Sequence, residues 1–535
     1  MHPTETIGDN GFQGPHVCGI SPAMAALCAH FSQGCEKCGL IVSSPLTNSS
    51  NFFSLHAMKI IMAASEMTPF AKTGGLADVM GTLPHALAKR GHEVIVFIPF
   101  YRCVDAPSAE FMKDESIMVG SRSARFKIFS IFRKNGVRVF AIRKEEYFDR
   151  SELYGLADRD YEDNAERFAF FNQAVMRAMA AMDLDAQVIH AHDWQTALIP
   201  VYAQISNPGL SEPVRTLFTI HNLAYQGAFD SHAFGCTNLP GQFFSMDGLE
   251  FYGRFNFLKG GILFADWVST VSRRYAKEIQ TPEHGFGLDG VLRAKHASLT
   301  GIMNGVDYST WNPETDVHLP QQFGAGSITR KERCKSALVE ELKLESAVKK
   351  PLFGMVTRFA RQKGCDLLLQ ALPEMLQHGA LFAVLGNGNA AYEKAFRHMA
   401  EQHPGQFAFT TGFNDGLAHR IYGGSDFFLM PSLYEPCGLS QLYAMRYGTI
   451  PLVRATGGLD DSVQGWDPKT RRGNGIKFQK ADPADLVTGF EQAMDVYRNS
   501  KTLATLRQNA MAADFSWDKS AAEYETLYQS LCPHA

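Results

Sequence analysis

The chain contains 535 residues, of which 45% are hydrophobic and 20% are charged. This composition is ordinary for a globular protein, and the length predicts about two to four domains of roughly 100–200 residues each. The formal net charge of -4 gives no reason to expect a nucleic-acid or anionic-membrane partner, and no apolar run approaches the roughly 20 residues of a membrane-spanning helix.

The first segment, residues 1–57, is rich in Ser, Asn, Gly and Pro and shows no helical or strand period. It predicts a loosely ordered leader. It lacks the basic start of a secretory signal and contains no arginine, so a targeting peptide is poorly supported. Its CxxC pair, Cys35 and Cys38, leaves a zinc site with Cys18, Cys28 and His16 as an alternative, although the spacing fits no zinc module. Ten irregularly spaced cysteines in the whole chain predict a reducing cytoplasmic setting.

The core begins with a predicted strand, Ile60–Ala64, and a helix from Leu76. Between them lies Lys72-Thr-Gly-Gly-Leu-Ala-Asp78. Glycines let the backbone approach a ligand closely, and a helix N-terminus presents free N–H groups. The lysine adds a positive charge, so the turn predicts an anion site, with a structural tight turn as the alternative. It is not a Walker loop, because the Gly-x-x-x-x-Gly-Lys order is absent.

Further apolar runs read as buried parallel strands in two series: Val94–Ile98, Gln187–Ala191, Thr216–Ile220 and Trp267–Val271, then Phe353–Thr357, Leu381–Leu385, Asp426–Met430 and Ile450–Val453. The pattern predicts an α/β protein with two Rossmann-like parallel-sheet domains facing across a cleft, with ligands at the strand C-terminal ends. A turn-rich stretch places the boundary near residue 306, giving domains at 58–306 and 307–512. Residues 513–535 are predicted as a helix crossing back to the first domain, since Tyr524, Leu527, Tyr528 and Leu531 share one helical face.

Two motifs suggest a metal. His190 and His192 point to the same side of a strand, but no further ligand cluster follows, and a polar cleft wall is favoured. The D-x-D pairs Asp158–Asp160 and Asp183–Asp185 match the D-x-D motif of metal-dependent sugar transferases. Neither pair ends a strong strand, so both are interpreted as surface acids.

The stretch from Gly386 to Ala391 contains G-x-G-x-x-A after a strand, which is half of a dinucleotide fingerprint. The acidic residue expected about 20 positions later at a strand end is missing. A tight turn is favoured, and a NAD-dependent oxidoreductase is the less favoured alternative.

The second series carries stronger signals. Arg358 ends a strand and Lys363 follows before a helix, which predicts a diphosphate clamp, with a solvated charge pair as the alternative. Glu435 precedes Pro436, which fixes the backbone, and a carboxylate held in such a turn suits sugar hydroxyls. A nucleophilic role for Cys437 stays open as an alternative to a packing role, although no motif supplies a base to activate the thiol.

Nine segments occur in register: KTGGLADVMGTLPHALAKRGHEV, HAHDWQTALIP, TIHNLAYQG, FNFLKGGILFAD, GFGLDGVL, IMNGVD, TRFARQKG, PSLYEPCGLSQLYAMRYGT and TGGLDDSV. Together they closely resemble the bacterial glycogen synthases and plant starch synthases that use ADP-glucose. The resemblance covers residues 58 to about 531. Departures are small, such as Tyr434 where phenylalanine is common.

The resemblance implies a GT-B fold and a cytoplasmic enzyme that transfers glucose from ADP-glucose to the 4-OH end of an α-1,4-glucan with retention of configuration. It implies no cofactor, no metal, and no nucleic-acid or membrane partner. A glucan-binding or priming partner with little turnover is the alternative, although a pure binder needs no diphosphate clamp. Nucleotide preference, elongation mode and oligomeric state stay open.

The resemblance also assigns roles. Catalysis falls to His221, Arg358, Lys363 and Glu435. Lys72, Arg358 and Lys363 would hold the diphosphate; Gly74, Gly75, Gly457 and Gly458 would bring backbone N–H groups near it. Asp78, His221, Asn222 and Glu435 would contact glucose, and Tyr154 would be an aromatic donor-site contact. The remaining donor or substrate residues are Asp193, Asn304, Gln362, Cys437, Gly438 and Leu459.

Overall fold

The computed structural model describes residues 57–156, 159–205, 214–345 and 350–533. The predicted leader, apart from residue 57, and its candidate zinc ligands lie outside this part of the chain, as does Asp158. The six cysteines of the described residues are free thiols. Among the described helices, none has the length and apolar character needed to cross a membrane.

The first sheet has nine strands in the order β14-β13-β9-β8-β1-β2-β5-β4-β3. Their bounds are β1 Lys59–Ala63, β2 Glu93–Pro99, β3 Glu110–Val119, β4 Arg122–Lys134, β5 Val137–Arg143, β8 Val188–His192, β9 Arg215–Ile220, β13 Trp267–Thr270 and β14 Leu299–Gly301. Neighbouring strands from β14 to β5 pair in parallel, so the carboxyl ends of this series lie at one edge. Small two- and three-stranded sheets flank it: β6 Gly155–Leu156, β7 Arg159–Asp160, β10 Ala228–Asp230, β11 Glu250–Phe251 and β12 Arg254–Asn256.

The second sheet has six strands in the order β17-β16-β15-β18-β19-β20, all parallel. Their bounds are β15 Leu352–Phe359, β16 Leu381–Gly388, β17 Phe407–Thr411, β18 Phe427–Met430, β19 Ile450–Arg454 and β20 Ile476–Phe478. Strands β15, β16, β18 and β19 are buried over most of their length, as expected for parallel strands covered by helices on both faces, whereas the edge strand β17 is mostly half-exposed. The predicted α/β architecture with two parallel-sheet layers is confirmed.

Helices connect the strands. In chain order they are α1 Gly75–Lys89, α2 Glu145–Phe148, α3 Asn164–Ala181, α4 Ile199–Ile205, α5 Phe257–Phe264, α6 Arg273–Glu278, α7 Asp289–Ala294, α8 Lys331–Glu341, α9 Cys365–Gln377, α10 Ala390–Gln402, α11 Asp415–Gly424, α12 Ser440–Arg446, α13 Gly457–Ser462, α14 Pro483–Arg498, α15 Ser500–Ala512 and α16 Trp517–Leu531. The apolar side of α1 is buried, and its residues Leu76, Met80, Leu83 and Leu87 recur every three or four positions, as on one face of an amphipathic helix.

Each sheet has its own apolar core. Ile302 belongs to the first core and Val306 to the second, so the change of core falls within a few residues of the turn-rich stretch. The last helix, α16, lies on the first core, where Tyr524 and Tyr528 are fully buried. Its Glu525 accepts a hydrogen bond from Arg90 beyond α1 and lies 3.0 Å from His92 Nε2. The C-terminal segment therefore returns to the first sheet.

The first sheet differs from the predicted series of parallel strands at one edge. β3, β4 and β5 form an antiparallel meander that the buried-run pattern did not reveal. The edge strand β3 is exposed or half-exposed over nearly its whole length, its neighbour β4 alternates buried and more exposed positions, and both carry many charges, as is common at the edge of a sheet. Asn135 and Gly136 join β4 to β5 with left-handed backbone at φ 51° and 80°. An Asn-Gly pair is the usual signal for such a hairpin, so the sequence did contain the clue.

Candidate active site

The two sheets present their carboxyl-end loops to a shared cavity of about 620 Å³. Fourteen of the sequence-predicted site residues line it: Gly74, Gly75, Asp78, Tyr154, Asp193, His221, Asn222, Asn304, Arg358, Gln362, Lys363, Glu435, Cys437 and Gly438. Loops from both halves contribute. Ligand sites at this edge are expected of open α/β sheets, and the geometry makes this cavity the candidate active site.

A buried carboxylate that the sequence reasoning missed organises the first loop. Glu66, only 4% exposed, accepts hydrogen bonds from the Thr73 N–H at 2.6 Å, the Thr73 hydroxyl at 2.7 Å and the Gly74 N–H at 3.1 Å. It also accepts from the Tyr154 hydroxyl at 2.7 Å. The Lys-Thr-Gly-Gly turn is thereby fixed at the cavity wall. The acid next to the motif, in Ser65-Glu66-Met67, was the available signal.

Lys72 stands outside the cavity lining in this conformation. Its Nζ lies 2.7 Å from Asp78 Oδ1, and its side chain is 43% exposed. Burial raises the pKa of Asp78, and the Lys72 charge opposes that effect. The Lys72 charge and hydrogen bond thus favour the carboxylate form of Asp78 against the effect of burial, while part of the lysine side chain remains in solvent.

Asp193 connects β8 to the cavity in a strained conformation. Its φ of 58° and ψ of 177° lie in a region that is essentially restricted to glycine, at a cost of about 1–3 kcal/mol. Its Oδ1 accepts the N–H of His221 at 2.7 Å and the N–H of Asn222 at 3.4 Å. Burial raises the pKa of Asp193 to about 7 although these N–H groups favour the charged form. These two hydrogen bonds fix the backbone of His221 and Asn222 against Asp193.

Three histidines extend from the core to the cavity. His192 Nδ1 and His221 Nε2 share a hydrogen bond of 3.0 Å, and burial lowers the pKa of His221 to about 3. His190 uses both ring nitrogens, bonding the Tyr528 hydroxyl at 2.8 Å and the Thr219 hydroxyl at 2.5 Å. These rings are neutral members of a hydrogen-bonded wall, which supports the cleft-wall interpretation over a metal pair.

The other candidate metal groups do not come together in the cavity. Within the described residues, one cluster of three metal-type side chains occurs, His318, Asp415 and His419, and it is not part of the cavity lining. Asp160, from the first D-x-D pair, is exposed and lies at the rim of the cavity. Asp183 and Asp185 precede β8 at its amino end, away from the carboxyl-end loops.

The second sheet supplies the cationic side of the cavity. Lys363 Nζ donates to both Glu435 carboxylate oxygens, at 2.9 and 2.7 Å, and the Ser432 hydroxyl donates to the same carboxylate at 3.0 Å. Arg358 Nη2 donates to the Tyr225 hydroxyl of the first half at 2.8 Å. The two cations thus lie in the cavity lining, Lys363 held by a carboxylate and Arg358 by a phenol.

Close backbone packing fixes these loops. Gly364 has φ 68°, and a Cβ there would lie 1.9 Å from the Pro431 carbonyl oxygen. The Leu433 N–H donates to the Gln362 carbonyl at 2.8 Å, and Gln362 Nε2 donates to the Tyr434 carbonyl at 3.3 Å. Lys363 and Glu435 thus sit on two turns that are bonded directly to each other.

Three residues that were predicted to bind the sugar donor lie outside the cavity lining. Gly457, Gly458 and Leu459 do not line the cavity, and Leu459 is fully buried. The Gly457 N–H donates to the Glu278 carboxylate at 3.1 and 3.0 Å, and the Gly458 N–H donates to the Glu435 carbonyl at 2.9 Å. In this conformation the Gly457 and Gly458 N–H groups are hydrogen-bonded within the protein. Glu278, which the sequence reasoning missed, crosses from the first half to the second.

Cys437 is a poor nucleophile in this setting. It is buried, and burial raises the pKa of its thiol to about 12. A Cβ on Gly458 would lie 2.1 Å from the Cys437 carbonyl oxygen. The residue therefore contributes to packing and backbone placement beside Glu435, and the thiolate needed for attack is disfavoured.

The G-x-G-x-x-A stretch forms a tight turn. A Cβ on Gly386 would lie 1.9 Å from the Thr357 carbonyl oxygen, and one on Gly388 would lie 2.4 Å from the Phe359 carbonyl oxygen. The following helix is capped by Asn389, which accepts the Ala391 N–H at 2.9 Å. Close strand packing thus accounts for the glycines without a dinucleotide.

Comparison with known proteins agrees with this geometry. The family described as starch synthase catalytic domain matches residues 59–294, and glycosyl transferases group 1 matches residues 340–512. A glycogen synthase of Koribacter versatilis is 45% identical over 478 residues, covering 88% of this chain and 98% of its own. A glycogen synthase of Anaeromyxobacter dehalogenans is 44% identical over 481 residues, covering 89% and 100%.

Solved structures give the same result. The catalytic domain of starch synthase IV from Arabidopsis thaliana, bound to ADP and acarbose, has a TM-score of 0.83 and 34% identity, covering 90% of this chain and all of that one. Sucrose-phosphate synthase from Thermosynechococcus elongatus, at TM-score 0.57 and 16% identity, shares the fold. The resemblance stated from the motifs is confirmed, and the NAD-dependent alternative is wrong. This chain belongs to the glycogen and starch synthase family of GT-B glycosyltransferases.

Proposed function

We propose that the protein transfers glucose from ADP-glucose to the non-reducing 4-OH end of an α-1,4-glucan, with retention of configuration. The observation that carries this proposal is the placement of Arg358 and of Lys363, which is paired with Glu435, in the lining of one shared cavity. A related enzyme of the same fold is described with ADP and acarbose bound. The six cysteines within the described part of the chain are free thiols, which supports the cytoplasmic location that we also propose.

The chemistry follows from charge. When the glucosyl bond to the nucleoside diphosphate breaks, negative charge accumulates on the departing phosphate. Fixed cations aimed at that charge lower the barrier because they need no reorganisation at the moment of reaction. Arg358 and Lys363 fill this role in the proposal, with Lys72 closing from the first half. These three cations take up the charge, so we propose a reaction that requires neither metal nor cofactor.

The opposite wall suits the sugar. His221 stays neutral at physiological pH because burial lowers its pKa to about 3. A neutral imidazole offers one donor or acceptor to a hydroxyl. Asp78, Asn222 and Glu435 add further polar groups within the same lining. Glu435 is bound by Lys363 and Ser432, which suits orientation of the glucose better than covalent attack, and we infer that the acceptor attacks from the face the diphosphate leaves.

Incorporation of labelled glucose into glycogen tests the proposal, with ADP-glucose and UDP-glucose run in parallel. Transfer from ADP-glucose is the expected result. Glucan binding without turnover from either donor would instead support the priming-partner alternative. In the same assay, Lys363→Ala tests the role of the clamp lysine, and Arg361→Ala is its matched control. Arg361 is an exposed cation of the same turn that does not line the cavity.

A further inference from the structure

Two exposed turns beside the cavity carry aromatic residues in left-handed backbone. Tyr252 and Gly253, at φ 51° and 76°, join β11 to β12. Phe286 and Gly287, at φ 48° and 82°, precede α7. A two-residue hairpin of this kind normally uses Asn-Gly, and bulky residues at positive φ are genuine outliers. Aromatic side chains at both positions therefore oppose the local backbone preference.

The two turns touch each other. A Cβ on Gly287 would lie 3.0 Å from Phe251 Cζ and 3.9 Å from Tyr252 Cε2. The Phe251 and Tyr252 ring centroids lie 4.7 Å apart. Tyr252 is nevertheless 84% exposed, so burial of its ring does not offset the strain. Outliers of this kind cluster at binding sites.

The Phe286 turn adjoins loops that line the cavity. The Phe286 ring, 39% exposed, lies 5.4 Å from the Tyr434 ring at 66°, and Tyr434 directly precedes the cavity-lining Glu435. Gln226 Nε2 donates to the Phe286 carbonyl at 3.0 Å, which ties this turn to the loop that carries Tyr225, another lining residue. The aromatic surface of the two turns therefore begins at the edge of the cavity lining.

We propose that Tyr252, Phe286 and Tyr434 form an aromatic platform that binds the α-1,4-glucan acceptor beyond the glucose units held in the cavity. The inference rests on the proposed function. The C–H faces of glucose rings pack on aromatic faces, and rigid aromatic side chains offer large contact area at little entropic cost. Because Phe286 contacts the sequence neighbours of two cavity-lining residues, the position favours a chain that already enters the cavity over a separate protein partner.

Tyr252→Asn separates binding from folding, because Asn-Gly suits this turn better than Tyr-Gly. The melting temperature should stay equal or rise. The KM for glycogen and maltoheptaose should rise about three- to tenfold, which corresponds to the loss of one aromatic contact. The kcat, the KM for ADP-glucose and the KM for maltotriose should stay unchanged, because a short acceptor ends inside the cavity.

Two variants sharpen the test. Phe286→Asn should show the same dependence on acceptor length. Phe111→Ala removes an exposed aromatic ring from β3, at the far edge of the first sheet, and should leave every KM unchanged. Cosedimentation with glycogen measures the platform without turnover, so it reports on binding even if ADP-glucose proves to be the wrong donor.

Three results would overturn the platform. Unchanged KM values for long acceptors and unchanged cosedimentation in Tyr252→Asn would remove the glucan contact. A lower melting temperature with equal losses for short and long acceptors would assign Tyr252 to folding. Loss of a dimer by light scattering, with glucan binding intact, would make the surface an interface between copies of the chain.

Discussion

Lys363 has two roles in this site, and substitution should separate them. In the ligand-free cavity it neutralises Glu435, whose side chain is only 6% exposed. In the complex we expect it to stabilise the leaving diphosphate. Lys363→Ala removes both interactions, so stability and rate should fall together, for different physical reasons.

The magnitudes follow from the contacts. Without Lys363, the Glu435 carboxylate retains the Ser432 hydroxyl at 3.0 Å, and a buried charged group with lost partners costs about 1–3 kcal/mol of unfolding free energy. Loss of one preorganised group at the developing charge should lower kcat by about 10²–10³. Lys363→Ala combined with Glu435→Gln removes the buried charge, so stability should return toward wild type while turnover stays low.

Urea unfolding and initial rates of transfer from ADP-glucose measure the two effects. Arg358→Ala is the informative comparison: Arg358 bonds the exposed Tyr225 hydroxyl, so we expect a similar rate loss with a stability change within about 0.5 kcal/mol. Arg361→Ala should match wild type in both assays. Near-normal turnover by folded Lys363→Ala and Arg358→Ala would refute the clamp.

Three further predictions follow from other parts of the cavity. Glu66→Ala should lower kcat by about tenfold or more and stability by about 1–3 kcal/mol, because loop donors lose their acceptor; a wild-type rate would show that the loop needs no anchor. Gly458→Ala should lower the melting temperature far more than Gly74→Ala, since a Cβ meets the Cys437 carbonyl oxygen at 2.1 Å in the first case and open space in the second; equal melting temperatures would contradict the packing argument. Asp193→Asn should gain stability relative to wild type as pH rises from about 4 to about 7, because the native Asp193, with its pKa raised to about 7, retains a proton that the unfolded chain has released and so destabilises the wild type progressively with pH; a pH-independent difference in unfolding free energy would show that its pKa is ordinary.

Much of the architecture was predictable because buried parallel strands are continuous apolar runs. Ile60–Ala64 and Leu381–Leu385 were placed within one to three residues of β1 and β16 at each end. The β3–β5 meander was missed because its half-exposed strands carry charges and lack such runs. For these strands the turn chemistry at Asn135 and Gly136 was the better guide.

The candidate site was predictable where a motif places its own residues. Fourteen assigned residues line one cavity because carboxyl-end loops of parallel strands converge. The partners that hold them were harder to predict. Glu66 lies close to its motif, but it acts through backbone N–H groups of Thr73 and Gly74, which a pattern of side chains does not report. Glu278 reaches Gly457 from the other half of the protein, and no local pattern reports a contact between residues so far apart in sequence.

The pairing of the charged side chains also explains how an open, charged cleft is stable without ligand. Lys363 is paired with Glu435, Lys72 with Asp78, and Arg358 with the Tyr225 hydroxyl. In the proposed reaction a diphosphate must therefore displace existing partners, and part of its binding free energy is spent on that exchange. In return the cations are already oriented, which favours the transition state over the ground state. Because the Arg358 contact joins the two halves, we expect its exchange for a phosphate to couple donor binding to the geometry of the whole cleft.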